Sequence, residues 1–175
     1  MAGAVVCLSA VGLVHAEEIT HSAFGKTEQW YIDSPVVNLP SWRTFRGQIA
    51  FRAGDTVIIT AGGCVQTGGH GLTWKRYVSP QGPNSDRLYF GVFALPTVPV
   101  TAFRNALTPI SPGSDVSQGT YFVGNDVDPA NDSLWLAYAD DGYSDNGYYA
   151  HDNGTGDQCK NVGNAWILLT IIHVN

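Results

Sequence analysis

Apolar and polar residues alternate in short runs along most of the chain, and Gly and Pro break the runs. Residues 56–60 are Thr-Val-Ile-Ile-Thr, β-branched throughout, and follow a Gly54-Asp55 turn. This is the clearest strand in the sequence. Arg87–Leu95 is a nearly continuous apolar run and predicts a central strand, and Trp166–Ile172 predicts a buried closing strand. Shorter runs predict strands at 72–78, 119–124 and 133–138, with Trp30-Tyr31-Ile32 as a first one. Leu39, Trp42, Phe45, Ile49 and Phe51 alternate loosely and predict a strand or two between Asn38 and Phe51. Cys64–Gly71 reads as a glycine-rich loop and Ser79–Asp86 as a polar one, and Asn125–Asn131 is an acidic turn. Four of the nine prolines fall in residues 96–119, which predicts connections and at most one short strand. No amphipathic helix of ten or more residues is evident. Many short strands between Gly/Pro turns indicate an all-β protein, an antiparallel β-sandwich.

Composition narrows the partners. At 175 residues the chain suits one domain, residues 17–175, behind a short leader. Its formal charge of −6 and pI of about 5.1 leave no basic patch for phosphates, which excludes nucleic acid. Twelve of its fifteen acids are Asp, a poor helix former. Residues 1–16 read as a signal peptide: the run is apolar, too short to span a bilayer, and ends in the small-x-small pattern Val14-His15-Ala16. The basic n-region is missing, and a buried N-terminal strand is the alternative. An exported protein without a membrane span follows from the first reading. Removal of the leader takes Cys7 and leaves Cys64 and Cys159, an even pair that predicts a disulfide. That bond would tie the glycine-rich loop to the acidic stretch.

The candidate chemistry lies in Tyr138–Cys159. Asp140, Asp141, Asp145, Asp152 and Asp157 sit there among glycines, with Asn146 and Asn153 beside them and no Lys or Arg before Lys160. Such a loop repels itself unless it is solvated or holds a cation, and an oxygen-only donor set suits Ca²⁺. Plain turn chemistry is the alternative, because Asp, Asn and Gly are also ordinary turn residues. Flanking Tyr138, Tyr143, Tyr148 and Tyr149 add the exposed rings that a sugar surface uses. The EF-hand spacing is absent, and Cys64–Gly71 lacks the ending of a phosphate loop. Its glycines would nevertheless let backbone carbonyls turn toward an ion. His151-Asp152 could belong to a hydrolase, but no Gly-x-Ser-x-Gly elbow accompanies it. Paired carboxylates could serve a glycosidase, although these solvated positions lack the apolar setting that raises an acid's pKa. Zinc ligands are too sparse. The five tryptophans could form a sugar-stacking platform, but large aromatics at strand spacing are more often core, and at least three are expected there. Asn131-Asp132-Ser133 and Asn153-Gly154-Thr155 match the N-glycosylation pattern.

In order and placement, three segments resemble the small calcium-dependent galactose-binding bacterial lectins of the PA-I type. They are Gly54–Gly62, Trp74 followed by Pro80-Gln81-Gly82, and Leu136–Asp140 continuing to Asp145-Asn146-Gly147. The resemblance covers roughly residues 47–172. It implies a jelly-roll, galactose-binding-domain-like sandwich that binds a galactose-type sugar through Ca²⁺ without catalysis. Asp140 would match the bidentate aspartate, and Asp145 and Asn146 the adjacent Asn-Asn pair. Backbone carbonyls would come from Gly142 or Tyr143 and from near Gln66. The loop is about two residues shorter than the family's, which leaves Asp141 an alternative to Asp140. The sugar's vicinal hydroxyls would coordinate the ion, with Asp140 and Asp145 beside them. Asn84 and Asp86 would hold the remaining hydroxyls, or His70 would swing in. A homo-oligomer, and a role as a module of a larger protein, stay open. A secreted structural or toxin-associated domain with a purely structural calcium site is the other class of function.

Overall fold

The computed structural model describes residues 17–68, 73–78, 88–128, 132–148 and 159–174. Its strands are β1 (Glu18–Phe24), β2 (Thr27–Asp33), β3 (Arg43–Thr44), β4 (Thr56–Gly62), β5 (Cys64–Thr67), β6 (Trp74–Arg76), β7 (Phe90–Leu95) and β8 (Val98–Ala102). A single helical turn, α1 (Phe103–Ala106), leads to β9 (Thr108–Pro109), β10 (Ser117–Phe122), β11 (Trp135–Ala139), β12 (Asn146–Gly147) and β13 (Trp166–Ile172). The all-β expectation holds, with every named strand pair antiparallel.

Six strands form one sheet in the order β1-β2-β13-β4-β10-β9, and four form a second, β3-β11-β7-β8. The expected closing strand, β13, lies between β2 and β4. Strict alternation explains how the sheets face each other. Val57, Ile59 and Ala61 on β4, and Ile167, Leu169 and Ile171 on β13, are fully buried while the residues between them are not. Phe93 and Leu95 on β7 and Leu136 and Tyr138 on β11 do the same from the other sheet. All belong to one core cluster, so the two inner faces form the filling of a sandwich. A third sheet, β12-β5-β6, extends from the end of β4 and carries the candidate site.

Several elements differ from expectation. Trp30-Tyr31-Ile32 belongs to a β1–β2 hairpin that turns at Gly25 and Lys26. Between Asn38 and Phe51 only Arg43–Thr44 is strand. Phe45 and Ile49 are buried from one turn, in which the Ile49 N–H donates to the Phe45 carbonyl at 3.1 Å, so the spacing there is that of a turn and not of a strand. Residues 96–119 contain β8, α1, β9 and the start of β10, more structure than four prolines suggested. Of the tryptophans, only Trp74 is fully buried, and Trp135 is 37% exposed. The expectation of three core tryptophans fails: β11 and β13 point Trp135 and Trp166 outward, and Trp30 and Trp42 are only half-buried. No helix among the described residues is long and apolar enough to cross a membrane. The leader 1–16 and the loop 79–86 lie outside the described residues.

Candidate functional site

The chain enters the site through Gly63, whose φ of +87° is left-handed. A Cβ there would overlap the backbone carbonyl of Asn164. This close approach lets the Cys64 N–H donate to the Gly163 carbonyl (3.0 Å) and the Ala165 N–H to the Cys64 carbonyl (2.9 Å). The Tyr77 N–H donates to the Gly63 carbonyl at 2.9 Å. The stretch read as a glycine-rich loop therefore begins as a strand: Cys64–Thr67 is β5, paired with β6 on one side and β12 on the other. That pairing is long-range, which local composition does not report.

Register then decides which predicted residues meet. Gln66 pairs with Gly147, and Thr67 with Asn146. The two distant segments do come together. Successive residues of a strand point to opposite faces, so Gln66 and Gly147 share one face and Asn146 takes the other. Asp145 lies in the turn just before β12, with its Oδ2 3.6 Å from where a Cβ would stand on Gly68. Asn146 is buried, and its Nδ2 donates to the Val37 carbonyl at 2.9 Å. Tyr148 is anchored the same way, its hydroxyl donating to the Pro35 carbonyl at 2.8 Å. Burial pushes that phenol's pKa well up, so it stays a donor across ordinary pH. Sequence reasoning missed this role of residues 35–37, and the apolar Pro-Val-Val run carries no polar signal for it.

Asp140 follows directly on β11. Its Oδ1 accepts the N–H of Asp141 (2.6 Å) and of Gly142 (3.0 Å). Its Oδ2 is enclosed with no hydrogen-bond partner among the described residues. Gln66 is only 3% exposed, and its Oε1 is likewise enclosed without a partner among them. A buried acceptor left unmade costs about 1–3 kcal/mol. Asp141, Gly142 and Asp145 are exposed, and Tyr143 is half-buried with its carbonyl accepting the Asn146 N–H at 3.3 Å. Among the described residues no Lys or Arg pairs with Asp140, Asp141 or Asp145. Among the described residues, no three His, Cys, Asp or Glu side chains converge there as a ready cage. The available donors are thus a mixture of carboxylate and amide oxygens. His70, Asn84, Asp86, His151 and Asp152 lie outside the described residues.

The expected disulfide is present. Cys64 and Cys159, 95 positions apart in the chain, are bonded with Cα atoms 6.2 Å apart. Both are fully buried against Trp74, with Val162 beside them. The bond fixes the end of the acidic stretch two residues from Gln66 in β5.

These features define an antiparallel all-β sandwich with a disulfide-pinned side sheet bearing an oxygen-rich loop. The chain matches no protein-family model, no curated protein and no solved structure.

Proposed function

We propose that this chain is an exported, calcium-dependent carbohydrate-binding protein without catalytic activity. The observation that carries the reading is a pair of enclosed acceptors without a partner among the described residues, Asp140 Oδ2 at the start of the Asp145 loop and Gln66 Oε1 on the strand that pairs with its end. Oxygen acceptors with no donor suit a hard cation, and a mixed carboxylate–amide set suits Ca²⁺ better than zinc. Asp140 and Asp145 would supply charge, and Gln66 a neutral oxygen. Asp141, Gly142 and Tyr143 line the same loop, and Asn146, turned toward Val37, holds it in place. Bound Ca²⁺ would offer open positions to two neighbouring hydroxyls of a galactose-type sugar. The fully buried disulfide fits an oxidising, extracellular setting.

Calorimetry tests this. Calcium binds to the wild type, and a galactoside gives heat only with calcium present. Asp140→Asn weakens calcium binding by about 100-fold, because calcium affinity follows the charge of the ligand set. Calcium binding without any sugar heat favours the structural-calcium reading. No calcium binding at millimolar ion removes the proposal.

A further inference from the structure

The solvent side of the six-stranded sheet carries no charge over three consecutive cross-strand rows. Register aligns Phe122, Thr56, Ile172, Thr27 and Phe24 in the first row, across β10, β4, β13, β2 and β1. The next two rows, stepping two residues at a time along each strand, hold only Thr, Ser, Gln, Ile, Leu and Tyr. None of these fifteen positions is buried. At the centre, Gln29 Nε2 donates to Thr170 Oγ1 at 3.4 Å. Phe24 is 91% exposed, Phe122 71% and Ile172 39%. Charge returns at the borders of these rows, at Asp33 and Glu18 beyond the third and at exposed Lys26 in the turn beside the first.

We infer that this face pairs with a second copy of the chain. Three observations select that occupant. A sheet face held in water normally carries Lys and Glu, and large apolar patches mark contacts. A chain of formal charge −6 repels its own copy everywhere except where it is neutral, and this face is neutral. The first row also reads Phe-Thr-Ile-Thr-Phe, the same in both directions, with β13 in the middle. A two-fold axis along β13, between two facing sheets, sets Phe24 of each copy over Phe122 of the other. That is the self-complementarity an isologous contact requires. Five strands about 4.8 Å apart and about 20 Å long give an uncharged footprint on the order of 500 Å², over half of the roughly 800 Å² per partner that a standard interface buries. Gln66, Asp140 and Asp145 belong to other parts of the fold, so the pairing leaves them free and does not depend on the calcium reading.

Sedimentation velocity of the full chain from about 1 to about 200 µM tests the pairing. The wild type moves to a dimer with rising concentration, in calcium and in chelator alike. Thr170→Lys, at the centre of the face, raises the dissociation constant by about 100-fold, and Phe24→Lys, at a rim where misfolding is not a concern, by about 10-fold. Val100→Lys, on β8 in the other sheet, leaves it unchanged. A wild type that stays monomeric throughout overturns the inference, as does a dimer unaffected by both face variants. A monomer that co-sediments with an insoluble neutral polysaccharide, and loses this with Thr170→Lys, also overturns it by assigning the face to a glycan.

Discussion

At Gly63 the backbone adopts a conformation that L side chains resist, in a place where the Asn164 backbone leaves no room for a Cβ. Gly63→Ala therefore combines left-handed strain with a backbone clash and costs about 2–5 kcal/mol, measurable by denaturant unfolding. A variant as stable as wild type would mean that β4 and β5 can join in another way. At the opposite end of the sandwich, His173 is held between two carboxylates. Its Nδ1 stands 3.0 Å from Asp55 Oδ2, and its Nε2 3.2 Å from Glu28 Oε1. Burial alone would raise the Glu28 pKa, but hydrogen bonds from His173 and Trp30, with His21 nearby, outweigh it and hold the carboxyl below its ordinary 4.5. A depressed acid stabilises the fold above its ordinary pKa and loses that contribution as the pH falls through the lowered value. The melting temperature of the wild type thus falls below about pH 4.5, and Glu28→Gln, with no carboxyl to titrate, falls less steeply. Parallel curves would take Glu28 out of the account. Little of this was legible in the sequence. The chain contains His173 and Asp55 far apart, and only the pairing of β4 with β13 brings them together. Gln66 entered the sequence reading solely through a resemblance, because its enclosure depends on neighbours from β6 and β12.

Strands built from β-branched runs were legible as elements: Thr56–Gly62 and Trp166–Ile172 match their runs because local propensity and burial agree there. β5 was not, since its four residues lie beside Gly62, Gly63 and Gly68 and its partners are distant. β12 has two residues and no local signal at all. Such short strands depend on a covalent support. In the chain-entropy model, closing a loop of 95 positions stabilises by roughly 4–5 kcal/mol. Cys159→Ser should lower unfolding stability by about that amount, and reductant should do the same to the wild type but not to the variant. Hydrogen exchange should place the added opening in β5, β6 and β12, leaving β4 and β13 protected. Equal loosening of all strands would show that the bond supports the whole sandwich and not the side sheet.

For the whole molecule, class was readable and arrangement was not. Short alternating runs and the lack of helix periodicity were enough for an antiparallel sandwich. The order β1-β2-β13-β4-β10-β9 was beyond reach, because alternation says which residues are inward but not which strands are neighbours. If the calcium reading holds, saturating ion raises the melting temperature of the wild type, and Asp140→Asn loses most of that rise; thermal scans with and without chelator measure it. The position of β13 has a kinetic consequence. Its residue Ile172 pairs with both Thr27 and Thr56, so contacts between residues 145 and 116 positions apart must form before the largest sheet is continuous. Until then β2 and β4 present raw hydrogen-bonding edges, and the high contact order makes that interval long. Refolding should be slow, in the millisecond-to-second range, with pulse-labelled amides of β2 and β4 gaining protection in the same phase as those of β13.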